Sequence, residues 1–109
     1  NLQALAAALP AAAAVALNEI AEETMTDAKE NTPVEFGRLK ASGHVSEYAT
    51  PGNLEAELAF GTEYAVPVHE RLDVHHPVGE AKFLENAVNR TANDFGQRMA
   101  AGIHSIIGG

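Results

Sequence analysis

The chain has 109 residues, 46% of them hydrophobic, but aromatics make up only 6%, with four Phe, two Tyr and no Trp. That length suits one domain with one core, and with Ala as a main apolar residue the domain is expected to be only modestly stable alone. Fifteen Asp and Glu against seven Lys and Arg give a net charge of −8, which disfavours a dedicated nucleic-acid reader, and the lack of Cys excludes disulfides, zinc–thiolate sites and a cysteine nucleophile.

Residues 1–17 are apolar and Ala-rich but carry no basic flank, and Pro10 interrupts them, so helix is favoured over a secretory segment or membrane span. Residues 11–30 contain no Gly or Pro and form the strongest helix candidate. Leu17, Ile20, Thr24 and Ala28 recur at helical spacing on one face, while Glu19, Glu22, Glu23 and Asp27 mark a solvated side. Asn31-Thr32-Pro33 stops the helix, because proline disfavours helical geometry in the residue before it.

A turn and a short helical piece follow, punctuated by Gly37 and Gly43. Residues 44–49 alternate weakly. Residues 54–60 alternate clearly and place Leu54, Ala56, Leu58 and Phe60 on one strand face. Thr50-Pro51-Gly52-Asn53 between them predicts a hairpin turn. Pro67 argues against a central strand over residues 64–70, and a short helix from about Thr62 is expected there. Residues 71–78 read as loop with room for one short strand. A last helix is expected over 79–101, with Phe83, Leu84, Ala87, Val88, Thr91, Phe95 and Met99 in one stripe. Ile103, Ile106 and Ile107 form an apolar tail over 102–109.

The expected fold is therefore α+β and one domain: a helix over 1–31, a short helix, hairpin and loop over 32–78, the closing helix and the tail. A small antiparallel sheet, a hairpin plus a short strand, packs against the two long helices.

The chemistry-bearing residues are few. His69, Glu70, His75 and His76 could bind zinc and activate water, making a small metal-dependent hydrolase the alternative from another class. Their spacing does not match the helical two-histidine motif, and solvated loop histidines are the simpler account. Glu55 and Glu57 share a strand face and suit solvent. Ser42 and Ser46 have only His44 nearby, too little for a nucleophile. No catalytic residue, cofactor or metal ligand is assigned, and an acidic binding module for a basic partner is a further alternative.

Three blocks, in order, resemble the tail-completion or head–tail joining family of long-tailed bacteriophages, often called minor capsid or minor tail proteins. They are Thr32-Pro33-Val34-Glu35-Phe36-Gly37-Arg38-Leu39-Lys40-Ala41-Ser42; Phe60-Gly61-Thr62-Glu63-Tyr64-Ala65 with Val68-His69-Glu70; and Ala81-Lys82-Phe83-Leu84-Glu85-Asn86-Ala87. The resemblance spans residues 21–90. It departs after Glu70, where Arg71-Leu72-Asp73 stands in place of an aromatic, glycine and threonine.

The resemblance implies a structural virion protein and no catalysis. It implies a homo-oligomeric ring, hexameric first and dodecameric second, at the junction of DNA-filled head and tail. Neck, tail-tube and connector proteins are the implied partners, DNA passes through the channel without specific binding, and no membrane is involved. A head-completion adaptor or tail-terminator ring is the near alternative. Phe60, Tyr64, Phe83 and Leu84 are expected to hold the scaffold. Arg38, Lys40, Tyr64, Glu70, Arg71, Ile103, Ile106 and Ile107 are the interface candidates.

Overall fold

Ala and Leu, the best helix formers, carry the first helix through Pro10. In the computed structural model α1 runs Leu2–Glu30 with Pro10 inside it. Proline forfeits one backbone hydrogen bond there, and the Ala-rich turns on either side tolerate the loss. The structure describes residues 2–32, 36–61, 64–69 and 82–108, and of 2–7, 64–69, 82, 83 and 85 the backbone. The predicted inner face is buried as expected: Leu17, Ile20, Thr24 and Ala28 are all nearly inaccessible. At the end of α1 the Asn31 amide donates to Asp27 O and the Thr32 amide to Lys29 O, while the Thr32 hydroxyl donates to Ala28 O. These bonds satisfy carbonyls that the helix end would leave orphaned.

A short α2 (Gly37–Ser42) leads directly into β1 (Gly43–Glu47). Gly43 is required by close packing. A Cβ there would stand 2.5 Å from Phe60 Cε1 and 2.8 Å from Met25 Sδ, so α1, β1 and the Phe60 ring meet over its bare Cα. The predicted turn is present, with Thr50 and Asn53 exchanging backbone hydrogen bonds of 2.9 and 3.0 Å. It delivers the chain to β2 (Glu55–Phe60), where Ala56, Leu58 and Phe60 are buried and Leu54 packs partly against them.

The expectation of a short helix near Thr62 is wrong. Tyr64–His69 is a strand, β3, antiparallel to β2 from Glu55↔His69 to Phe60↔Tyr64, with Pro67 opposite Glu57. The proline rule excludes a central strand, and among the described strands β3 lies at the edge of a sheet ordered β1-β2-β3. Gly61 turns the chain out of β2 with φ 62°, a left-handed conformation that favours glycine. On the other edge the β1 register slips between Val45 and Glu47, a β-bulge around Ser46.

The closing helix is two helices rather than one. α3 (Lys82–Ala92) and α4 (Phe95–Ile103) are separated at Asn93-Asp94, where amides bond three residues back, to Arg90 O and Thr91 O. Asn and Asp are poor interior helix residues because their side chains compete for the backbone. The stripe nevertheless survives: Leu84, Ala87, Val88, Thr91 and Phe95 are buried and Met99 half-buried. The fold is thus α+β and mostly helical, with α1 packed on one flank by the sheet and along its length by α3 and α4. Its principal extents are 53 × 22 × 22 Å.

Candidate assembly surfaces

The outer surface of α1 carries Glu19, Glu22, Glu23 and Asp27 and divides into neutralised and uncompensated parts. Arg90 on α3 grips Asp27 with two bonds, Nε at 2.8 Å and Nη2 at 3.0 Å. Arg98 on α4 donates to Glu23 at 2.9 Å and lies 3.7 Å from Asp94. These pairs are exposed, so each adds little stability, but they align α3 and α4 antiparallel to α1. Beneath them, Thr24 Oγ1 donates to Ile20 O and lies 2.7 Å from Thr91 Oγ1. With its single proton committed to the helix carbonyl, Thr24 accepts from Thr91.

On the opposite flank of α1, Asn18 clamps Ala49, its amide donating to the carbonyl at 3.0 Å and its oxygen accepting the backbone N–H at 2.7 Å. This bidentate bond pins the chain just after β1 against the helix. It sets Tyr48 beside Glu22, whose carboxylate accepts the phenol proton. That hydrogen bond, then desolvation, then the carboxylate charge hold the Tyr48 phenol above its ordinary pKa. Val15, Asn18, Glu19, Glu22, Glu23 and Tyr48 line an open groove of about 600 Å³. Its apolar members stand out from the surface, Val15 being 46% and Tyr48 55% exposed.

Sequence reasoning missed this groove. The available signal was Val15, an apolar residue one and two helical turns before Glu19 and Glu22 on the side otherwise given to solvent.

Among the interface candidates, Arg38 and Lys40 are exposed on α2 and form no ion pair among the described residues. Phe36, preceding that helix, is exposed as well. Tyr64 opens β3 opposite Phe60, while Glu70 and Arg71 lie outside the described residues. The tail is folded: His104–Gly108 forms a π-helical turn continuing α4 along α1. Ile103 and Ile107 are half-buried there, and Ile106 is 45% exposed. Of the scaffold residues, Phe60 and Leu84 are buried in the core, whereas the side chains of Tyr64 and Phe83 lie outside the description.

Ser42, His44, Ser46 and Glu57 have structural partners. Ser42 donates to Leu39 O, His44 Nδ1 lies 2.8 Å from Ser42 O, and Ser46 donates to a Glu57 carboxylate oxygen at 2.7 Å. His69 closes β3 in register with Glu55, and His75 and His76 lie outside the described residues. Among the described residues no group of three His, Asp or Glu is placed to hold a metal ion, and no helix is long and apolar enough to cross a membrane.

Surfaces rich in charge and exposed apolar residues, without an assembled catalytic group among the described residues, direct attention to assembly. Residues 1–86 match the HK97-gp10-like family, described as "Bacteriophage HK97-gp10, putative tail-component". The chain belongs to this family. It is a structural component of the phage tail, and so part of the virion in contact with other tail proteins. Comparisons with curated proteins and with solved structures gave no match.

Proposed function

We propose that this tail component is a ring-forming subunit of the neck or tail-completion complex, joining the DNA-filled head to the tail without catalysis. Membership of the tail-component family over residues 1–86 carries this reading. The resemblance of three sequence blocks to head–tail joining proteins supports the junction. Physical features support it. A rod 53 Å long and 22 Å across suits a stave in a ring, and contacts between different faces of identical staves close after a fixed rotation. Sixfold symmetry is the first expectation and twelvefold the second. A net charge of −8 suits a wall past which DNA slides without sticking.

Cryo-electron microscopy of the intact particle tests the reading. A ring of copies at the head–tail junction is the expected result. A ring at the portal or at the tail terminus would replace it with a head-completion adaptor or a tail terminator. Absence from the particle would sink it.

The tail supplies a second test. Truncation after Ala101 removes Ile103, Ile106 and Ile107 and should weaken assembly more than it changes monomer helicity. Because Ile103 and Ile107 also pack inward, Ile106→Ser is the cleaner variant. Unchanged assembly by sedimentation would remove the tail from the interface.

A further inference from the structure

We infer that the groove between α1 and Tyr48 is the acceptor for a second copy of this chain, which inserts its α2 region carrying Arg38 and Lys40. This rests on the ring reading above and names the two surfaces that meet.

The groove combines apolar surface with acid. Val15 and Tyr48 expose their side chains, and Glu19, Glu22 and Glu23 stand around them. Glu23 is already matched by Arg98, whereas Glu19 and Glu22 have no cation beside them among the described residues. An occupant must therefore bring positive charge next to apolar surface. This chain has seven Lys and Arg in all, and Arg90 and Arg98 are committed to α1. Arg38 and Lys40 are exposed, unpaired among the described residues, and flank the half-buried Leu39 beside the exposed Phe36. The charges on the two surfaces are opposite, and both surfaces place apolar side chains among the charged ones.

The two surfaces also lie apart on one protomer. α2 follows the C-terminal end of α1, and from Glu19 to Glu30 that helix advances by roughly 16 Å. Two such surfaces can meet reciprocally in a two-fold pair, each groove taking the partner's α2, or one way between successive copies, and the ring reading selects the second. That head-to-tail contact repeats from copy to copy and closes a ring. The charges give orientation and encounter rate more than affinity, so the contact should weaken with salt.

The chain contains no cysteine, which makes disulfide trapping clean. Assembled particles would carry Val15→Cys and Arg38→Cys together, or either alone, and be oxidised and run without reductant. The expected result is a ladder beyond the dimer with both cysteines and none with either alone. Dimers without a ladder from the double variant would overturn the head-to-tail contact in favour of a reciprocal two-fold pair. Dimers from Val15→Cys alone would overturn the pairing of the groove with α2. If particles contain a ring by microscopy but the double variant gives no ladder, this contact is wrong and the ring reading stands. No ladder together with no ring would remove both. As a check independent of cysteine, Arg38→Glu with Lys40→Glu should abolish particle assembly, and Glu19→Lys with Glu22→Lys in the same chain should restore it. Assembly unaffected by the first pair would also overturn the contact.

Discussion

The two ends of the α1 rod are held by different means. Where the sheet lies against it, large side chains fill the core: Leu17, Leu58, Leu84 and Val88 are almost wholly inaccessible, with Phe60 beside them. Toward the N-terminal end, among the described residues, helix meets helix. The buried residues of α1 there are Ala12, Ala14 and Ala16, and a Cβ on Gly102 of α4 would come within 2.9 Å of Ala16 Cβ. One end gains stability from apolar area and the other from close backbone approach. The lesson is that an Ala-rich chain with few aromatics concentrates its bulky residues where the topology is most complex. Simple helix pairing is left to small residues.

That contrast can be broken by mutation. Leu58→Ala empties the centre of the bulky end and should cost about 2–5 kcal/mol in denaturant unfolding, the span observed for buried leucines. A loss below roughly 1 kcal/mol would mean that the sheet is not the main source of stability. Thr24→Val probes the polar contact between the ends. It leaves the buried Thr91 hydroxyl without its acceptor and should cost about 1–3 kcal/mol, whereas Thr24→Val with Thr91→Val should recover most of that. A double variant as unstable as the single one would show that the hydroxyl pair is not coupled.

Gly102→Ala addresses the other end. Helix propensity alone favours alanine by about 1 kcal/mol, and displacement of α4 from α1 opposes it. A net loss of about 1 kcal/mol is expected, relieved by Ala16→Gly in the same chain. A stabilised single variant would mean that the close approach is not needed. The smallest effect concerns Tyr48. Its hydrogen bond to Glu22 raises the phenol pKa, so the bond contributes below the ordinary tyrosine value and is lost as pH rises through the raised one. Glu22→Gln should bring the phenolate transition of Tyr48 down toward the ordinary value, with Tyr48→Phe identifying its signal. An unmoved transition would place the tyrosine away from Glu22.

What could be read from the sequence was whatever repeats with a period. The Leu17–Ile20–Thr24–Ala28 face, the alternation of Ala56, Leu58 and Phe60, and the stripe from Leu84 to Phe95 are all buried as their spacing requires. Errors arose where one residue spoke for a segment. Pro67 argues only against a central strand, and the pairing puts its strand at the edge among the described strands. The Asn93-Asp94 break escapes a reading of this kind because it has no period to disturb. The groove was harder still. Val15 and Tyr48 come together only because Asn18 clamps Ala49, a contact between distant segments that no local pattern encodes.

A subunit that meets copies of itself, as proposed above, risks joining them the wrong way. An open strand edge is an indiscriminate template for another chain. Among the described strands one rim of the sheet carries Pro67, which has no backbone proton to offer, and the other carries the bulge at Ser46, which spoils a regular ladder. Strand addition is discouraged on both sides, which protects the free subunit from fibrous association and leaves helix surfaces and side-chain charge to select its neighbours.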